Sequence, residues 1–224
     1  MSYPVTFEAD YVERRNRLTA FFRLILAIPL LIWLYFYAIV AYVVIVVAWF
    51  AIVITGHYPR GLYDFVAGFT RFVARFTSYT VLLCDPYPAF GGSPDPAYPV
   101  RMSFEPLDEY SRLRTLFRII LAIPILVLRY VLGLLLEIGA VAAWIVILIT
   151  GKLPRGLFDL MVLATSYTVR SDAYLGLLTE TYPPFQDEQT RAAGTPGPPT
   201  PASPAGGYPS ATDYPSTTDY TSTS

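Results

Sequence analysis

LILAIPLLIWLYFYAIVAYVVIVVAWFAIVIT, residues 24–55, contains no charged side chain. Arg23 stands before it and Gly56 after it. A run this long and this apolar reads as a membrane-embedded helix. A second run occupies residues 119–150, with Arg118 before it and Gly151 after it. Everything else in the chain is placed by these two stretches.

Each run carries a proline near its start, Pro29 and Pro124. A proline inside a helix removes a hydrogen bond and kinks it, whereas one at the first turn starts it. The expectation for copy one is a short interfacial approach helix over Leu18 to Ile28, then a spanning helix from Pro29 to Thr55. At 1.5 Å per residue that helix is about 40 Å long, enough for a hydrocarbon core of about 30 Å with tilt. Gly56 suits the left-handed position that ends a helix, and Pro59 forbids continuation. A second, amphipathic helix is expected over about Leu62 to Leu83, where Leu62, Phe65, Val66, Phe69, Phe72, Val73 and Phe76 recur at helical spacing. Ahead of each run, Val5, Phe7 and Ala9, and likewise Val100, Met102 and Phe104, alternate with polar residues. That is a strand pattern, or else an extended arm at the membrane surface.

The chain is duplicated. At a constant offset of 95, without a gap, roughly 34 of about 88 aligned positions are identical. The matches cluster at the ends of the elements: Tyr3-Pro4-Val5, Phe22-Arg23, Ile25 to Pro29, Ile54-Thr55-Gly56, Pro59 to Leu62, Asp64, Arg75, Tyr79 and Tyr87-Pro88. The middle of the long run matches poorly, as expected where residues need only be apolar. The reading is an all-α integral membrane protein built as a tandem duplication of one unit: short strand, long Pro-kinked transmembrane helix, amphipathic helix. Residues 1–90 form the first repeat, 91–97 a linker and 98–185 the second. Residues 186–224 are dominated by Pro, Ser, Thr, Gly, Ala and Tyr and read as a disordered tail. The two copies keep polar ends of the same kind, which places them on the same side and requires an even number of crossings per copy. Four crossings with both termini cytoplasmic is the expected arrangement. Lys and Arg flank both ends of each run, so charge bias does not choose between orientations.

The pattern YPV…LFRxxLAIP…W…TGxxPRGLxD…YPPF resembles a bacterial membrane family catalogued as domain of unknown function 4389, in two tandem copies. Copy one departs slightly, with Phe21-Phe22-Arg23 for Leu-Phe-Arg and Ala89 in the YPPF stop. The resemblance implies a multi-pass protein of the bacterial cytoplasmic membrane. It carries over no activity.

The totals narrow the function classes. The chain has 224 residues and a net charge of -1, so no bulk attraction to nucleic acid is expected. One cysteine, Cys84, and one histidine, His57, exclude an internal disulfide and a multi-cysteine metal cluster. No Walker loop, HExxH or GxSxG occurs. An enzyme and a cofactor are therefore not expected. The partners expected are the bilayer and other membrane proteins, or a second copy.

Several charged residues are candidates for a role. Arg23 and Arg118 either bind lipid phosphate or snorkel as interfacial anchors. Arg60 with Asp64, and Arg155 with Asp159, form either an ion site or a helix cap with a local ion pair, each aspartate lying in the first helical turn. Arg129 and Glu137 lie within the second run only, where intramembrane charges are functional candidates. At a spacing of eight they stand about 12 Å apart, too far to pair. Lys152 replaces His57 and Thr179 replaces Cys84 in copy two, which suggests surface positions for both. Trp49 and Trp144 suit an interfacial belt or helix packing. The leading reading is a non-enzymatic scaffold or accessory subunit; the alternative is a small transporter or lipid-handling protein using Arg129 and Glu137 or the Pro-Arg-Gly loops.

Overall fold

The structure, a computed structural model, describes residues 3–107 and 109–184, which form one compact unit. The expected tail lies outside the described residues. The elements in order are β1 (Val5–Ala9), α1 (Arg17–Thr55), α2 (Arg60–Thr80), β2 (Val100–Phe104), α3 (Arg112–Leu116), α4 (Arg118–Thr150) and α5 (Arg155–Leu175).

The approach helix and the spanning helix of copy one are a single helix. α1 runs for 39 residues straight through Pro29, whose ring lies on the exposed side. The Asn16 side chain accepts from the backbone N–H groups of Leu18 and Thr19 at 3.0 and 3.3 Å and so fixes the start. In copy two the chain does break, but at Phe117 rather than at Pro124, and α4 starts on Arg118. Proline is tolerated inside both helices because only one backbone bond is lost and neighbouring turns keep the rest.

Both long helices end as expected. Gly56 and Gly151 take the left-handed conformation, φ 79° and 74°, and each N–H bonds back to Ile52 or Ile147. The prolines Pro59 and Pro154 then stand at the N-caps of α2 and α5, with no side-chain cap on either. Helix α2 starts on Arg60 and α5 on Arg155, so Asp64 and Asp159 fall just beyond the first turn, correcting the expected cap.

The strands are real, and they pair with each other. β1 and β2 form an antiparallel ribbon in which Phe7 faces Met102. These two residues are equivalents in the two copies, since 7 + 95 = 102. An antiparallel pair centred on equivalent residues has a local two-fold axis through it, and the rest of the molecule obeys that axis. Tyr110 N–H donates to Gly56 O at 2.9 Å, and its counterpart Arg15 N–H donates to Gly151 O at 3.0 Å. Trp49 Nε1–H donates to Thr115 O at 3.0 Å, and Trp144 Nε1–H donates to Ala20 O at 3.2 Å. The end of each long helix therefore meets the beginning of the other, and α1 and α4 run antiparallel. The tryptophans belong to helix packing between the copies.

The copies are interlaced rather than side by side. Strand β2 of copy two packs on α2 of copy one, and β1 packs on α5. Helices α2 and α5 touch across the axis and are largely buried. The stretch read as a linker is also packed. A Cβ on Gly92 would stand 1.7 Å from the carbonyl oxygen of Gly68 in α2, so only glycine allows this approach.

The long helices are different. Along α1 a narrow stripe is buried: Ala20, Arg23, Ala27, Leu30, Ala41, Ala48 and Ile52. The remaining surface exposes Leu, Ile, Val, Phe, Tyr and Trp from Leu18 to Ile54. Helix α4 repeats this from Arg118 to Ile147. Both are long and apolar enough to cross a membrane, and only 17% and 22% of their most apolar windows are buried. They are not the core of this fold; α2 and α5 are.

Candidate functional site

Each copy ends on the same tight turn. After α2 the backbone of Leu82 adopts φ 67°, and after α5 that of Leu177 adopts φ 65°. Left-handed leucine costs on the order of 1 kcal/mol, and here the cost is offset by bonds that close the helix: Leu83 N–H to Ser78 O, and Leu178 N–H to Ala173 O, both 2.9 Å. The turn brings the chain back over the start of the long helix, where an arginine is waiting.

Arg23 is buried in that turn. Its guanidinium donates to Tyr79 O at 2.6 Å, to Cys84 O at 2.9 Å and to Asp85 Oδ1 at 2.8 Å, and lies 4.5 Å from the centre of the Tyr79 ring. Arg15, also buried, donates to Leu83 O at 2.6 Å. Asp85 accepts from Asn16 N–H at 3.3 Å, joining the turn to the cap of α1. In copy two, Arg118 donates to Thr179 O and lies 4.0 Å from the Tyr174 ring centre. Glu180 accepts from Ser111 N–H at 2.7 Å, the counterpart of the Asp85–Asn16 bond. Both arginines are buried rather than exposed, and both act as fasteners that lock the second helix of a copy to the first. The planar fork of arginine suits this because it satisfies several carbonyls at once.

A second matched pair sits nearer the axis. Arg75 of α2 stacks at 5.3 Å on the ring of Tyr98, and Arg170 of α5 at 5.5 Å on the ring of Tyr3. The interlaced arms are thus held by cation–π contacts from the opposite copy. Tyr98 also donates to Pro86 O at 2.9 Å and lies 3.4 Å from Cys84 Sγ. Cys84 is buried, against the surface position expected for it, and burial pushes its thiol above the usual range. His57 is exposed, as expected.

The loop charges are spread out. Arg60, Asp64, Arg155 and Asp159 are all exposed, and the pair Arg155–Asp159 stands at 4.0 Å. No ion pair joins Arg60 to Asp64 among the described residues. These loops present cations and carboxylates to the surroundings.

Arg129 does not pair with Glu137. It reaches into the body of the molecule and forms an ion pair with Asp172 of α5, whose side chain is only 16% exposed. Burial pushes the Asp172 carboxyl up to about 6, against the opposing pull of Arg129. Copy one has Leu34 and Thr77 at these positions, so the pair belongs to copy two alone. Asp172 was not anticipated; its position beside Arg170 was visible, but nothing local marks it as the partner of a residue 43 positions away. Glu137 is exposed on the outer side of α4, where Leu126, Arg129, Tyr130, Gly133, Leu134 and Glu137 line a shallow groove of about 300 Å³.

Among the described residues, no group of His, Cys, Asp and Glu could hold a metal ion. A family model described as "Domain of unknown function (DUF4389)" matches residues 17–91 and again 112–186. No curated protein and no solved structure matches the chain.

Proposed function

Because the chain belongs to the family described as Domain of unknown function (DUF4389), in two tandem copies, we propose that it is a non-enzymatic protein embedded in the bacterial cytoplasmic membrane, where it serves as a scaffold or accessory subunit. One observation carries this reading. The two most apolar helices are mostly unburied, and their exposed surface is apolar along nearly all of their length, Glu137 and Arg129 of α4 being the charged exceptions. A continuous apolar surface of this extent is stable only against lipid or another protein. The charged side chains inside the fold support the scaffold half of the reading. Arg15, Arg23 and Arg118 are spent on backbone carbonyls, and Arg129 on Asp172.

The test is fractionation of bacterial cells expressing the chain. The protein is expected in the membrane pellet, resistant to alkaline carbonate and released by detergent. Release by carbonate would overturn the reading. A second reading, a small transporter or lipid-handling protein, is favoured by the groove that holds Arg129 and Glu137. Reconstitution into liposomes separates the two: solute or lipid movement that Glu137→Gln abolishes would establish transport in place of scaffolding. Hydropathy alone suggests a multi-pass arrangement for the long helices; the symmetry of the fold bears on that directly.

A further inference from the structure

The axis that relates the two copies exchanges the two ends of the molecule. One end holds the start of α1 and the end of α4; the other holds the end of α1 and the start of α3 and α4. The ribbon lies on the axis, because Phe7 pairs with its own counterpart Met102. The ribbon is therefore equidistant from the two ends.

That fact decides between two ways of placing the long helices in a bilayer. If α1 and α4 crossed it, their ends would lie on opposite faces and the axis would lie in the midplane. The ribbon would then sit at the depth of the hydrocarbon centre. Its side chains Glu8, Asp10 and Arg101 are 63%, 52% and 35% exposed and pair with one another on the outer surface. Each charge at that depth costs about 2.5–3.5 kcal/mol or more. A two-stranded ribbon also has two outer edges whose backbone groups lipid cannot satisfy.

If instead the axis stands along the membrane normal, every one of these conflicts disappears. We infer that α1 and α4 lie in the plane of the membrane within one leaflet, with the ribbon in water and both ends of each helix at the same headgroup surface. The inference rests on the membrane-embedded reading above. A helix is about 10 Å across and a leaflet core about 15 Å deep, so the helices fit without crossing. Exposed apolar side chains occupy most of the circumference of both helices, as immersion requires, with Glu137 and the partly exposed Arg129 of α4 as the charged exceptions. Both ends carry exposed cations: Arg14, Arg17, Lys152 and Arg155 at one, and Arg60, Arg112 and Arg114 at the other. A helix with both ends in one layer of phosphate-bearing headgroups accounts for cations at both ends, since a crossing helix concentrates them at its cytoplasmic end. The even number of crossings per copy read from the sequence is then zero rather than two.

The experiment is sidedness of labelling in bacterial membrane vesicles with a membrane-impermeant maleimide. Single cysteines replace His57, Lys152 and Ser103, all exposed, one at each end and one on the ribbon. The background is Cys84→Thr, the residue copy two has at that position; the native Cys84 chain, whose thiol is buried, serves as a second background should Cys84→Thr fail to fold. All three are expected to label in one vesicle orientation and none in the other. Labelling of His57→Cys and Lys152→Cys from opposite sides would overturn the inference, as would a Ser103→Cys shielded from both. Failure of the membrane reading shows separately, as a chain that carbonate removes from the vesicles.

Discussion

Arg23 and Arg118 occupy the same place in two copies of one unit, yet they are neutralised differently. Arg23 faces a carboxylate directly, Asp85 at 2.8 Å. Arg118 has Glu180 nearby, but that carboxylate is engaged by the Ser111 N–H, and the guanidinium rests on a backbone carbonyl and the Tyr174 ring. Elsewhere the balance reverses: copy two carries the Arg129–Asp172 pair where copy one has Leu34 and Thr77. What the copies share is backbone geometry at the helix ends. What they do not share is where charge is placed inside. Duplication preserved the fastening and left the interior charges free to diverge.

The largest effect expected from this difference is at the fasteners themselves. Arg23→Met leaves Asp85 without its closest cation and two carbonyls without a donor, a loss of about 3–5 kcal/mol. Arg118→Met removes a hydrogen bond and a cation–π contact but breaks no ion pair, and costs about 1–3 kcal/mol. Chemical unfolding of the detergent-purified protein measures both. If Arg118→Met proved the more damaging, the direct ion pair would not be what distinguishes the copies.

The sequence made the fasteners visible as positions and hid them as contacts. The repeat, the Gly56 and Gly151 stops and the alternating Val5-Phe7 and Val100-Met102 strands were legible because each is a local rule. The continuity of α1 through Pro29 was not, since a proline at an exposed position removes one backbone bond while the neighbouring turns keep theirs. Arg23 read as an anchor because it opens an apolar run. Only the left-handed turn at Leu82, which no glycine announces, folds Cys84 and Asp85 back over it. Cys84 read as a surface residue because Thr179 replaces it, but both occupy the same buried turn. The exchange of arms was beyond local reading, because nothing in either copy says which α2-type helix its strand will choose. Equal matching at both copies' ends did contain the clue: residues that meet a counterpart across an axis are held on both sides.

A smaller effect is expected at the pair that only copy two has. Replacing it by what copy one carries, Arg129→Leu with Asp172→Thr, removes both charges together and is expected to leave stability at neutral pH unchanged or slightly raised. The pH dependence is more telling. The Asp172 carboxyl stands at about 6 against an ordinary 3.8, so the folded state holds its proton more tightly than the unfolded state does. Its contribution is therefore fully present below about pH 4 and is lost as pH rises through about 6, on the order of 3 kcal/mol in all. The stability of the wild type relative to the double variant should fall across that window and level off above it. A difference that rises with pH would mean that Arg129 holds the carboxylate ionised, and that the pair is a fastener like Arg23–Asp85 after all.

The smallest effect asks whether the two-fold is energetic as well as geometric. Trp49→Phe and Trp144→Phe each remove one indole N–H that reaches the first turns of the opposite copy, at Thr115 O and Ala20 O. Each loss is expected to cost about 1 kcal/mol, since the ring is kept and only one hydrogen bond is removed. The two sites lie at opposite ends of the long helices, so the double variant should equal the sum of the singles to within about 0.5 kcal/mol. Equal single effects would mean that both ends contribute alike, whatever charges lie between them. Unequal ones, with Trp49→Phe the costlier, would assign the tighter end to the junction where copy two breaks at Phe117 and must be held from outside. A double effect larger than the sum would show that opening one end loosens the other, as an interlaced pair of arms sharing one ribbon would allow.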